Sequence, residues 1–126
     1  MRVDLAPGWK TELDRGPDWL FVRLYGPSGS EADATGMAET LHMLMQQELT
    51  RRIVLELDEL LTLPEDLVDE LVQLHNHLEG QGGMLRLCGV SEQNHQLLRD
   101  NFVEERLPLY TDREQAVMGY RPTKPR

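Results

Sequence analysis

Four histidines, one cysteine and a scatter of carboxylates are the side chains that could carry chemistry in this chain. A metal pair on a helix uses i, i+4 spacing, because residues three or four apart share a face. His75 and His77 are two apart and would point to nearly opposite sides, while His42 and His95 fall in other segments. All four read as solvated or interfacial histidines, and no metal or cofactor is implied. Cys88 would need a base and a positive environment to act as a nucleophile. Its neighbours Leu87 and Gly89 supply neither, so it reads as a structural strand cysteine. Gly80-Gln81-Gly82-Gly83 lacks the lysine and the following helix of a phosphate-binding loop and reads as a turn. Asp58, Glu59, Asp69, Glu70 and Glu79 fall where a loop or a solvated helix face places carboxylates. None pairs with another as acid and base, and no catalytic centre is expected.

The elements that must position these residues follow from the apolar pattern. Thr11 to Arg15 and Trp19 to Tyr25, separated by Gly16-Pro17-Asp18, predict a hairpin. Ser30 and Asp33 predict a helix starting near Glu31, with Ala34, Met37, Ala38, Leu41, Leu44, Met45 and Leu49 as its core stripe. Ile53 to Leu57 predicts a buried strand. Thr62-Leu63-Pro64-Glu65 reads as a capping box ahead of Leu67, Leu71, Leu74 and Leu78, a helix that stops at Gly80. Met84 to Cys88 predicts a strand, and Ser91 caps a helix carrying Leu97, Leu98, Phe102 and Val103. Pro108-Leu109-Tyr110 suits an edge strand, and Thr111 or Asp112 caps a last helix with Ala116 and Val117 inward.

Alternating strands and helices from Trp19 onward predict an α/β fold with a mixed, mostly parallel sheet after the N-terminal hairpin. Leu20, Val22, Leu24, Leu55, Leu57, Leu85 and Leu87 would share one sheet face, and Arg23, Glu56 and Arg86 the other. About four helices are therefore expected mainly on the leucine face, with Glu56 between the two arginines on a partly open face.

With 126 residues and 40% hydrophobic content, the chain can supply one core. We expect a single domain over residues 1–120 and a basic tail over 121–126. Acids outnumber bases 22 to 13, so the averaged field of a molecule with formal charge -9 repels nucleic-acid phosphates and anionic lipid. The longest apolar run, Trp19-Leu20-Phe21-Val22, is too short to span a bilayer. Without a secretory pattern at the start, and with a single cysteine, a cytoplasmic location is expected.

The run Ile53-Val54-Leu55-Glu56-Leu57-Asp58, a loop and helix, Gly80-Gln81-Gly82-Gly83, the strand from Met84 to Val90 and then Ser91 resembles the STAS family. These are the domains of anti-sigma factor antagonists and sulphate transporter tails. Leu107-Pro108-Leu109-Tyr110 and Glu114-Gln115-Ala116-Val117 resemble the family's closing elements, so the likeness covers roughly 9–119. The family's Asp-Ser-Ser-Gly signature falls on Pro64-Glu65-Asp66-Leu67, which puts Asp66, to within one position, where the phosphoacceptor serine would be. A phosphoserine carries about -1.5 to -2 charge and can be removed, whereas a carboxylate stays near -1.

The resemblance implies a regulatory module acting in transcription through sigma-factor control in bacteria, with an anti-sigma factor or kinase-like regulator as partner and no enzymatic activity. Its docking surface would run from Asp58 to Asp69 and into the second helix, through Asp58, Glu59, Thr62, Glu65, Asp66, Asp69 and Glu70. Carboxylates at a helix start also have a purely structural role, since unpaired amides and the macrodipole favour them there. A rival reading, also by resemblance, is the cytosolic accessory subunit of a lipid-transporter ATPase. A third is small-molecule binding or thiol chemistry around Cys88 and the open sheet face.

Overall fold

The computed structural model describes residues 2–60, 62–100 and 107–119. Strands β1 (Arg2–Ala6), β2 (Trp9–Arg15) and β3 (Leu20–Tyr25) lead into α1 (Met37–Gln47), β4 (Arg52–Glu56), α2 (Glu65–Glu79), β5 (Met84–Cys88), α3 (Glu92–Asp100), β6 (Leu109–Tyr110) and α4 (Arg113–Met118). The six strands form one sheet in sequence order, antiparallel from β1 to β3 and parallel from β3 to β6. This is the α/β, mixed-sheet architecture that the apolar pattern predicts. The expected helix residues Phe102 and Val103, and the tail over 121–126, lie outside the described residues.

Register explains the core. Val22 pairs with Leu55 and Leu55 with Leu87, so apolar side chains line up across three parallel strands on one face. Met37, Leu41 and Met45 of α1, Leu67, Leu71, Leu74 and Leu78 of α2, and Leu98 of α3 close over them. Of the described helices only α4 packs on the other face, where Trp19, Phe21, Val54, Cys88, Tyr110 and Ala116 make a smaller cluster. Arg23 and Arg86 there stay partly exposed, and Glu56 is buried.

Several expectations need correction. Glu56 sits between Arg23 and Arg113, not Arg23 and Arg86. Arg86 instead donates to the carbonyls of Ala116 and Val117 at the end of α4 and lies over the rings of Trp19 and Tyr110. The first helix begins at Met37 rather than near Glu31. The reason is local: Asp33 Oδ1 accepts the amide of Thr35 at 2.9 Å, a turn that competes with helix initiation. Leu49 leaves the core stripe, because α1 ends at Gln47 and Leu49 takes a left-handed φ of 55°, leaving it 89% exposed. Strand β1 was not expected; it is short and its pairing is irregular between Asp4 and Ala6.

The helix ends show which local rules held. Ser91 Oγ accepts the amide of Asn94, and Asp112 Oδ1 that of Gln115, as N-caps do. Thr62 is not a cap: α2 starts at Glu65 behind an extended Pro64 without a side-chain bond, and Thr62 is exposed two residues upstream. At the other end α2 stops after Glu79, and Gly82 at φ 75° lets the chain reverse, with Gly83 N–H donating to the Leu78 carbonyl.

Candidate functional site

The loop after β4 is short of regular structure but firmly seated. Leu57 donates its amide to the Cys88 carbonyl, Leu60 forms a bridge to Gly26, and Leu60 and Leu63 are both buried. Anchoring those apolar residues turns Asp58, Glu59 and Thr62 outward, and all three are exposed. Asp58 Oδ1 lies 3.6 Å from Arg23 Nε, so part of its charge is countered by the sheet.

The first turns of α2 divide their acids between two faces. Glu65 and Asp69, four residues apart, are exposed. Asp66 and Glu70 share the neighbouring face and look inward. Asp66 is half-buried; its Oδ1 accepts the Leu67 amide at 2.9 Å and its Oδ2 accepts the Ala34 amide at 3.0 Å. Glu70 is buried, and its Oε1 accepts the Ala38 amide at 2.9 Å. The expectation that Glu70 lies on a solvated face is therefore corrected: a buried carboxylate persists only with such partners. Asp66, the residue expected to match the phosphoacceptor, is likewise engaged by backbone amides. Of the seven residues expected to dock, the structure turns Asp58, Glu59, Thr62, Glu65 and Asp69 to solvent and draws Asp66 and Glu70 toward α1.

Beneath this end of the sheet runs a charge network. Glu56 Oε2 accepts from Arg23 at 3.0 Å, Glu56 Oε1 pairs with Arg113, and Arg113 reaches Asp14 at 2.7 Å. The hydrogen bond each guanidinium donates to Glu56 raises both pKa values further, so the arginines stay charged. With Glu12 and Leu13 these residues line a groove of about 270 Å³ on the open sheet face. Arg23 and Arg113 are each paired with Glu56, and Arg113 also with Asp14, so the groove reads as an ion-pair network that joins the sheet to α4.

No cluster of three or more His, Cys, Asp or Glu suited to a metal ion occurs among the described residues. Fold does bring His42 of α1 against His77 of α2, edge to face at 4.6 Å, a contact that sequence spacing alone could not reveal. His75 sits beside Glu79 at 3.7 Å. Burial, with the charges of Glu56 and Asp58, pushes the Cys88 thiol up to about 12, so it carries no thiolate at neutral pH. Among the described helices, none is long and apolar enough to cross a membrane.

No protein-family model matches the sequence, and none of the curated proteins does. Solved structures do. An anti-sigma factor antagonist from Mycobacterium paratuberculosis superposes with a TM-score of 0.73 at 12% identity, covering 95% of this chain and 100% of that one. A STAS-domain anti-sigma-factor antagonist protein from Planctomyces limnophilus gives 0.69 at 18% identity, over 87% and 97% of the two chains. The phosphorylated form of SpoIIAA, a Bacillus cell fate determinant, gives 0.59 at 14% identity, over 88% and 99%.

Proposed function

Starting from the STAS-domain fold that these likenesses establish, we propose that this protein is a regulatory module that works by docking onto another protein, as an anti-sigma factor antagonist does. Its partner would be an anti-sigma factor or kinase-like regulator bearing a basic patch. One observation carries the reading. Asp58, Glu59, Glu65 and Asp69 project to solvent from a loop and helix start that buried Leu60 and Leu63 hold in place. A fixed, pre-organised set of like charges favours encounter with an oppositely charged surface and speeds association. Pro64-Glu65-Asp66-Leu67 contains no hydroxyl, so on this reading the module is not switched by serine phosphorylation there.

Calorimetry against the anti-sigma factors of the source genome tests it. Reversing Glu65 and Asp69 together to lysine should weaken binding at least tenfold, about 1.4 kcal/mol, and the association rate should fall as salt rises. Unchanged affinity removes this surface. Stoichiometric assembly with a membrane ATPase, and no affinity for anti-sigma factors, would instead assign the domain to a transporter.

A further inference from the structure

Histidines carried by different helices meet at the seam between α1 and α2. His42 follows the buried Leu41 and His77 precedes the buried Leu78, so each ring stands at the edge of its helix's core stripe. Packing of the two stripes then brings both rings to the same rim. His42 is half-buried there and His77 exposed, with the ring centroids 4.6 Å apart and the planes at 84°. His75 sits beside Glu79, but among the described residues neither His42 nor His77 has a hydrogen bond or ion pair through its ring. The two rings line a groove of about 340 Å³ with Ala38, Glu39, Gln73 and the buried Leu74.

Imidazole nitrogens left without a protein partner are ligands for divalent transition-metal ions, and the spacing of these two can be compared with what one shared ion requires. A metal ion about 2.0 Å from an imidazole nitrogen stands roughly 3.2 Å from that ring's centroid, so two rings on one ion have centroids about 4.5 Å apart at a right angle and about 5.2 Å apart at a tetrahedral angle. The 4.6 Å between His42 and His77 fits the right-angled case. Rotation about Cβ–Cγ, which is broad in histidine, aims the nitrogens while leaving each centroid nearly in place. We infer that His42 and His77 form a two-nitrogen site for one divalent cation of the copper or nickel class, which binds imidazole in tetragonal geometry, with water on its remaining positions. Glu39 stands three residues before His42 and Gln73 four before His77, on the same helix faces. Both line the groove, where their side-chain oxygens can accept hydrogen bonds from water on the ion. A formal charge of -9 draws cations toward the molecule. Because each helix supplies one ligand, the ion binds only while α1 and α2 are packed, and it therefore stabilises the fold by mass action. His77 lies about three turns beyond Glu65 along α2, so the site is separate from the docking surface and does not depend on it.

Calorimetric titration of Cu2+, and separately of Ni2+, into untagged, metal-free protein tests the site. The tightest-bound ion should be one per chain. His42→Ala and His77→Ala should each weaken it at least tenfold, whereas His75→Ala and His95→Ala should leave its Kd within twofold. Electron paramagnetic resonance of the Cu2+ complex should show two coordinated imidazole nitrogens in the wild type and one in either variant. In urea denaturation, Cu2+ at one hundred times its Kd should multiply the wild-type folding equilibrium constant about one hundredfold, and at that concentration about tenfold at most in the variants. If His42→Ala fails to fold, His77→Ala, at an exposed position, carries the same comparison. A Kd within twofold of wild type in His77→Ala, an equal loss in His75→Ala, or a single coordinated nitrogen in the wild type overturns the site. None of these results bears on the docking role, which stands or falls on the Glu65 and Asp69 reversals.

Discussion

The two faces of the sheet are closed by different physics. On one, Leu20, Val22, Leu55, Leu85 and Leu87 meet three helices through side chains that are almost wholly buried. On the other, α4, the one helix there among the described residues, is fastened at both ends by guanidinium groups. Arg113 at the start of α4 binds Glu56 and Asp14, and Arg86 binds the carbonyls at its end. The first face depends on area removed from water and shape, which no single hydrogen bond controls. The second depends on a few directional charges, which leaves that side of the sheet partly open. The contrast teaches that stability and interaction can be separated here: the leucine face holds the fold, and the charged side chains decide what stays on its surface.

Substitutions on the two faces should therefore differ in size. Leu55→Ala removes a fully buried side chain from the central strand and should lower unfolding free energy by about 3–4 kcal/mol in urea denaturation. Glu56→Gln, one residue away but facing the arginines, should cost about 1–3 kcal/mol. A buried pair broken deep in a core costs more. Here Arg23 and Arg113 keep 35% and 38% of their side-chain exposure and can rehydrate once the charge is gone. Equal losses at the two sites would erase the distinction between the faces.

Much of this was legible in the sequence. Alternation along three strands placed Leu55 and Glu56 on opposite faces, and the spacing of Leu67, Leu71, Leu74 and Leu78 located α2. The same helix even encodes the split among its acids. At about 100° per residue, Glu65 and Asp69 fall roughly opposite Leu67, whereas Asp66 and Glu70 flank the leucine stripe. What the flanking pair binds was not legible, because Ala34 lies 32 residues away from Asp66 and only the packing of α1 on α2 brings it there. Arg113 was missed as the partner of Glu56 for the same reason, at a separation of 57 residues. A hint existed: a cation in the first turn of a helix opposes the macrodipole, so Arg113 needed a carboxylate from elsewhere. The start of α1 misled because Ser30 and Asp33 imitate a cap, while Asp33 in fact closes a turn.

Cys88 gives the smallest effect at neutral pH and the most specific one above it. It lies in the charged face's small apolar cluster, and its thiol titrates near 12 in the fold against an ordinary value near 9. The sign follows from which state ionises first. Below about pH 9 the thiol is protonated both folded and unfolded, so it adds no pH dependence. Above that the unfolded chain loses the proton and the folded chain keeps it, so stability falls as pH rises toward 12, by up to about 1.4 kcal/mol per pH unit. Comparing wild type with Cys88→Ala between pH 8 and pH 10 isolates this from other groups that titrate there. The stability difference should hold constant to pH 9 and then shift against the wild type, and native thiol labelling should be slow across the range. A difference that stays flat to pH 10, or fast labelling at pH 8, would mean that water reaches Cys88 and that α4 covers this face less tightly than its two arginine fastenings imply.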